Sequence, residues 1–235
     1  MFKKKEKQVI LFDIVDERSN IKLSDYFIPT KEFKPKWFKN LKQNIDPTNG
    51  MGNVITCPSF IELFKNSYTY VSPCDIDIEV SRLGHRAILP DPKWFMFDSH
   101  THKNNAPSQM GKEWPRDLYN LKFVPRMFIT TNIGKVNMVI VPAFFHNPYP
   151  DIIIAPGIFE LTPSVTINPN LNTFIDLKDI KNNDSKKIKV KAGDPLAMFY
   201  FPNGILDIKK STVEEIPRKK FFLDHSTKIK NCPFH

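Results

Sequence analysis

After residue 66, apolar and polar residues alternate along much of the chain, and this period of two predicts β-strands. The clearest case is "CDIDIEV" at 74–80, which places Ile76, Ile78 and Val80 on one face and acidic residues on the other. Similar patterns predict further strands at 7–15, 67–71, 93–97, 126–131, 135–145, 151–161, 164–168, 172–177 and 204–208. Strands at this spacing without intervening helices predict a mainly β protein, an antiparallel β-sandwich or a distorted barrel of jelly-roll or dUTPase-like type.

Helical spacing of apolar residues is confined to two short segments. The segments 35–43 and 58–64 each begin with a proline, which is favoured at the first position of a helix. The sequence therefore predicts one or two short helices beside the sheets.

Turn-forming residues are densest at 44–53, "NIDPTNGMGN", and this stretch predicts a domain boundary. We expect an N-terminal extension at 1–53, a β domain at 54–210 and a basic C-terminal arm at 211–235. The two terminal segments are predicted to be extended arms.

Residues 188–202, "IKVKAGDPLAMFYFP", contain two apolar runs on either side of Gly-Asp-Pro. Gly tolerates a positive φ, and the Asp side chain can accept a hydrogen bond from the local backbone, so both residues favour turns. The pattern predicts a β-hairpin.

The segments "PGIFE" at 156–160 and "GDPLAM" at 193–198 resemble the C-terminal part of dUTPase-type proteins. The resemblance implies a nucleotide-binding hairpin built from four residues, Gly157, Glu160, Gly193 and Asp194. The chain has Glu160 where the family has Asp, and Pro195 and Met198 where the family has Arg and Gln. The resemblance therefore implies an inactive nucleotide-binding relative.

The stretch "CPSFIELFKNSYTYVSPCDIDIEV", with the later "PGIFEL" and "AGDPLAMF", is similar to an uncharacterised protein family of marine bacteriophages and their hosts. The similarity spans about residues 55–205. It implies a viral protein of bacteriophage origin and carries no known activity.

Composition adds two hints about partners. The 20 Pro residues argue against a helix bundle, and the net charge of +9 favours contact with polyanions. Basic and aromatic residues gather in the predicted arms, where such side chains usually pack against something. The predicted interaction residues are Phe2, Lys3, Lys4, Lys5, Trp37, Phe38, Arg218, Lys219, Lys220, Phe221 and Phe222.

Histidine spacing supports a different hypothesis. His100 and His102 are two residues apart, so on a strand both rings would share a face and could bind one metal ion. His146 and Glu160 could complete the ligand set. This alternative is a metal-dependent, cupin- or oxygenase-like β-barrel enzyme or binding protein that holds Fe or Zn.

The leading hypothesis is a non-enzymatic structural or interaction protein that assembles through its arms and needs no cofactor. Its expected partners are other copies of itself or virion proteins, with nonspecific contact to nucleic acid. No secretion signal or membrane-spanning stretch is visible, and the three cysteines show no paired spacing. We therefore expect a protein of the host cytoplasm or the virion that is neither secreted nor bound to a membrane.

Overall fold

The structure is a computed structural model that describes part of the 235-residue chain. The described residues are 8–13, 23–35, 37–38, 57–89, 95–98, 117–125, 127–132, 134–143, 145–146, 151–163, 167–181, 184–204 and 207–212.

These residues form an α-helix, two further helical residues at 37–38, one 3-10 helix and many strands. The α-helix α1 is Pro58–Lys65, and the 3-10 helix is Leu23–Tyr26. The strands are β1 Gln8–Asp13, β2 Phe27–Pro29, β3 Ser67–Val71, β4 Ile76–Ser81, β5 Gly84–Ile88, β6 Phe95–Asp98, β7 Leu118–Pro125, β8 Met127–Thr131, β9 Val136–Pro142, β10 Ile153–Ile154, β11 Gly157–Leu161, β12 Leu171–Asp176, β13 Lys186–Val190, β14 Pro195–Tyr200 and β15 Asp207–Thr212.

The strands form four sheets, each open at both edges among the described strands. A five-stranded sheet has the order β11-β9-β14-β3-β2, and a four-stranded sheet has the order β10-β12-β7-β6. A corner sheet contains β13-β4-β5, and a terminal sheet contains β15-β1-β8. Among the described pairings, β1 with β15 is parallel and the others are antiparallel. The predicted mainly β, sandwich-like fold is confirmed, and no described sheet closes into a barrel.

The two apolar runs of 188–202 do not form the predicted hairpin. Strand β13 pairs with β4 in the corner sheet, whereas β14 pairs with β3 and β9 in the five-stranded sheet. The chain therefore bends from one sheet into the next at Gly193, which has a φ of 84°. The segment between β3 and β4 lies beside this bend. There the Ser72 N–H donates to the Asp194 carbonyl at 2.8 Å, and the Gly193 N–H donates to the Ser72 carbonyl at 2.7 Å. The Gly-Asp turn therefore lies where the paired strands β13 and β4 of the corner sheet continue as the paired strands β14 and β3 of the five-stranded sheet.

Several strands differ from the sequence prediction. Strands β2, β5 and β7 were not predicted. The predicted strand at 151–161 is two strands, because the chain leaves the four-stranded sheet at Ala155 and Pro156 and enters the five-stranded sheet. Of the predicted strand at 164–168, Ile167 forms a single bridge to Ile129, and 164–166 lie outside the described residues.

All four sheets contribute to one apolar core. The inward faces of β3, β4, β7, β9, β12 and β14 meet there. Its largest fully buried side chains include Tyr70, Phe123, Phe199, Phe201, Ile76 and Ile78. Burying each such side chain contributes about 1.5–3 kcal/mol, so these contacts hold the layers together.

A second aromatic cluster lies around α1 and includes residues from the predicted N-terminal extension. Helix α1 begins at Pro58, and its Phe60 and Phe64 are buried. Phe38 stacks on both rings, with centroids 5.9 and 5.4 Å away, and the Trp37 indole N–H donates to the Phe145 carbonyl. Both residues are helical, as predicted, while 39–43 lie outside the described residues.

Residues on both sides of the predicted domain boundary share sheets. Strand β1 pairs with β8 and β15, and β2 pairs with β3. Sequence from the predicted extension 1–53 therefore contributes strands to the same sheets as the predicted β domain 54–210. The boundaries at 44–53 lie outside the described residues and stay a prediction.

Candidate functional site

The structure separates the two predicted metal ligands that it describes. Glu160 in β11 lies opposite Asn137, at the N-terminal end of β9, whereas His146 follows the C-terminal end of that strand. Among the described residues, no group of three or more His, Cys, Asp and Glu side chains is close enough to hold a metal ion. His100 and His102 lie outside the described residues, so their role stays a prediction.

His146 has an apolar environment in this structure. Its ring lies 5.0 Å from the Phe33 ring, and its Nε2 is buried without a hydrogen-bond partner among the described residues. Burial disfavours the charged imidazolium and lowers the pKa of His146 from 6.5 to about 4. The side chain is therefore neutral at pH 7.

This lowered pKa predicts that acid destabilises the protein through His146. Between pH 6.5 and 4 the unfolded chain binds a proton that the folded chain does not, so stability falls as the pH falls through this window. After allowance for solvent screening at the partly exposed ring, we expect a loss of about 1–2 kcal/mol. Urea unfolding at a series of pH values should show this loss in the wild type and a smaller one in His146→Phe. Parallel pH profiles for the two proteins would contradict the prediction.

The four residues of the predicted nucleotide-binding hairpin also lie apart. Gly193 and Asp194 precede the N-terminal end of β14, at the corner of the ribbon. Glu160 pairs with Asn137 near the N-terminal end of β9. The N-terminal end of β14 lies near the other end of β9, because Ala197 pairs with Pro142. The Glu160 carboxylate instead accepts a bond from Lys135 at 3.2 Å. The described geometry therefore does not bring Gly157, Glu160, Gly193 and Asp194 into one pocket.

The acidic stripe of β4 lies between basic residues. Asp77 is opposite Lys189 in β13, and their charged atoms are 3.9 Å apart. Glu79 has Lys187 on one side and Arg86 on the other. Opposite charges at these cross-strand positions stabilise the sheet. Part of the Lys-rich run at 186–191 therefore faces carboxylates of the same sheet.

A polar cluster that the sequence did not predict lies where the β4–β5 turn meets the start of β7. Arg82 forms an ion pair with Asp117 and donates to the carbonyls of Leu177 and Ile180 at 3.2 and 3.3 Å. His85 Nδ1 is 2.8 Å from the Tyr119 hydroxyl. Because Arg82 bonds a carboxylate and two carbonyls, the cluster joins the corner and four-stranded sheets.

The predicted interaction residues divide into two groups. Trp37 and Phe38 pack on α1 of the same chain, so they are part of the intramolecular aromatic cluster. The others lie outside the described residues: Phe2, Lys3, Lys4, Lys5, Arg218, Lys219, Lys220, Phe221 and Phe222.

Among the residues that the structure describes, the most exposed large apolar side chain is on the edge strand β11. Ile158 is 77% exposed, and Ile153 in the neighbouring edge strand β10 is 58% exposed. Only Ala155 and Pro156 separate β10 from β11, so the edges of two sheets lie on the same side of the sandwich. We call this side the β10–β11 edge.

An apolar row extends inward from Ile158 across the outer face of the five-stranded sheet. Ile158 lies opposite Val139 in β9, and Val139 lies opposite Tyr200 in β14. Val139 and Tyr200 are both partly exposed. Among the described strands, the β10–β11 edge thus combines backbone that no other strand pairs with and adjacent apolar side chains, which is the chemistry of a strand-pairing surface.

Comparisons with known proteins give no relative. No protein-family model, no curated protein and no solved structure matches the chain. The resemblances to the phage family and to dUTPase-type proteins stay predictions. Among the described residues, no helix has the length and apolar character that crossing a membrane requires.

Proposed function

We propose that the protein is a non-enzymatic interaction protein that works by binding a second copy of itself through the β10–β11 edge. The observation that carries the proposal is the 77% exposure of Ile158 on an edge strand. Sandwich proteins usually protect such edges with lysine, proline or a covering segment. The one charged side chain of β11, Glu160, forms an ion pair with Lys135. The exposed Ile158 side chain has no charged residue of β11 covering it.

Two other features support binding over catalysis. Carboxylates of the corner sheet, in Asp77 and Glu79, face basic partners across the strands. Arg82 is held by a carboxylate and two carbonyls. These charged side chains stabilise the sheets, whereas the side chains of Ile158 and Ile153 are largely exposed to solvent.

The phage origin is part of the proposal and rests on the sequence resemblance over about residues 55–205. A self-associating β protein of this kind would act as a structural protein in the virion or in the host cytoplasm. The basic segments outside the described residues would add nonspecific contact with nucleic acid or with other virion proteins.

A single charge at the β10–β11 edge should weaken self-association. In Ile158→Lys, a charged ammonium replaces the exposed apolar side chain in both copies, and burying it at the contact would cost its hydration. We expect the dissociation constant of the dimer to rise at least about tenfold, which corresponds to about 1.4 kcal/mol. Sedimentation velocity over a concentration series measures it.

The matched control is Ile88→Lys. Ile88 is 53% exposed and lies on β5, an edge strand of a different sheet, so this substitution adds the same charge elsewhere. It should leave the dissociation constant unchanged. Because each copy has a net charge of +9, added salt should tighten the wild-type dimer. A wild-type chain that stays monomeric, or equal weakening by both substitutions, would refute the proposal.

A further inference from the structure

The turn that follows β14 contains an asparagine directly before a glycine, at Asn203 and Gly204. We infer that this pair is a site of spontaneous deamidation, at which the folded protein slowly converts Asn203 to aspartate and isoaspartate. The reaction needs no enzyme, because water is its second reactant and ammonia is the group released. It takes place within one chain and is independent of self-association.

The chemistry uses the backbone of Gly204 and the side chain of Asn203. The Gly204 nitrogen loses its proton to solvent base and attacks the Cγ carbon of Asn203. The new C–N bond closes a five-membered succinimide ring, and the bond from Cγ to the amide nitrogen breaks, so that this nitrogen takes up a proton and leaves as ammonia. Water then opens the ring at one of its two carbonyl carbons. One opening gives aspartate, the other isoaspartate, and no atom is oxidised or reduced.

Both residues are accessible to this reaction. Pro202 and Asn203 are exposed, and Gly204 is partly exposed. Apart from the two flanking residues, no described atom lies within 4 Å of the position that a Cβ on Gly204 would occupy. The missing side chain favours the attack, because glycine allows the close backbone approach that a Cβ beside the attacking nitrogen would hinder.

One hydrogen bond of the turn opposes the attack. The Gly204 N–H donates to the Phe201 carbonyl at 3.1 Å, so the nitrogen must leave this bond before it reacts. The bond lies in an exposed connection between strands, where local opening costs much less free energy than unfolding of the sheets. Loop opening is also far faster than a covalent step that takes hours or longer. The hydrogen bond therefore slows the reaction but does not prevent it.

Asn137 provides a contrast within the same protein. Its side chain is also exposed, but it lies in β9, between β11 and β14. The next residue, Met138, is fully buried and pairs with Phe159. The Met138 nitrogen would have to leave the sheet to attack the Asn137 side chain, and its Cβ hinders the approach. Exposure of an asparagine alone is therefore insufficient.

The position of Asn203 gives the modification a structural effect. Residues 201–206 connect β14 in the five-stranded sheet to β15, which pairs with β1 in the terminal sheet. Isoaspartate adds one carbon atom to the backbone inside the turn, so the bond from Gly204 to Phe201 loses its geometry. Either product also adds a carboxylate, which lowers the net charge of +9 by one.

Peptide mapping of the full chain during incubation in mildly alkaline buffer tests the inference. Trypsin releases residues 192–209 as a peptide with Asn203 as its only asparagine, so exchange of NH2 for OH in its mass reports this site. Chromatography separates the aspartate and isoaspartate forms. We expect progressive conversion with isoaspartate as the larger product, at a rate within about tenfold of a synthetic 192–209 peptide. Asn137 should stay unchanged in the same digests.

The matched variant is Asn203→Gln, which keeps an amide at the turn and leaves Gly204 in place. Attack on its longer side chain would need a six-membered ring, so its 192–209 peptide should stay unmodified over the same period. Conversion of Asn203 more than about tenfold slower than in the synthetic peptide would overturn the inference, because the turn would then protect the site. Equal conversion of Asn137 and Asn203 would also overturn it.

Discussion

Replacing Ile78 with Asp should unfold the protein or lower its free energy of unfolding by more than about 4 kcal/mol. Ile78 is 2% exposed, lies on the inner face of β4 and faces Ile188 across the strand pair. A carboxylate at this position would lose its hydration and have the apolar core around it. Urea unfolding followed by circular dichroism measures the effect.

The neighbouring residue gives the matched control, because Asp77 projects from the opposite face of the same strand. Its side chain is exposed and forms a long ion pair with Lys189. Asp77→Asn should change the free energy of unfolding by less than about 0.5 kcal/mol, as expected for a surface pair. Similar effects at the two positions would show that β4 does not have the inner and outer faces described here.

Truncating Phe199 should have the next largest effect. Phe199 is fully buried in β14, which lies between β9 and β3 in the five-stranded sheet. Its ring meets Phe27 edge to face at 4.9 Å and Tyr70 at 6.4 Å. Phe199→Ala removes these contacts and leaves a cavity, so we expect a loss of about 3–5 kcal/mol.

The conservative variant Phe199→Leu separates cavity formation from any change of strand pairing. It keeps most of the buried volume and should cost less than half as much in the same urea titration. A Phe199→Ala protein as stable as the wild type would place this ring outside the core. Because Phe27 belongs to the predicted N-terminal extension, loss of its contact would also weaken the attachment of β2.

The sequence could reveal strands because side-chain alternation is a local property. Strand β4 alternates with few exceptions, and the structure confirms it. Strand β7 was missed because Tyr119, Asn120 and Leu121 are all buried. With both faces of the strand buried, its sequence does not alternate between apolar and polar residues. Strand β5 was missed because Arg86 and Ile88 are both exposed.

Strand partners could not be predicted, because pairing depends on contacts far apart along the chain. The segment around Gly193 has every local feature of a hairpin. It bends between two sheets because β4 and β3 are the partners of β13 and β14, more than 100 residues earlier. The same limit affected the predicted sites. His146 and Glu160 are 14 residues apart in sequence, yet the pairing of β11 with β9 places them at opposite ends of one strand.

The β10–β11 edge was also hidden from the sequence, because "GIFEL" reads equally well as a central or an edge strand. Ile158 is exposed because β11 lies at the end of the strand order, which depends on pairing between distant segments. The sequence suggested self-association through the terminal arms. Most residues of those arms lie outside the described part of the chain, so that interpretation stays a prediction, and the described residues add an apolar edge at 153–161.

Hydrogen exchange of the β11 amides tests most directly whether this edge pairs with a second copy. In the dimer, the N–H groups of Gly157–Leu161 that point away from β9 become bonded to the second strand and exchange slowly. We predict that their exchange slows as protein concentration rises, and that it stays fast at every concentration in Ile158→Lys. Exchange of these amides at one rate across all concentrations in the wild type would contradict the account.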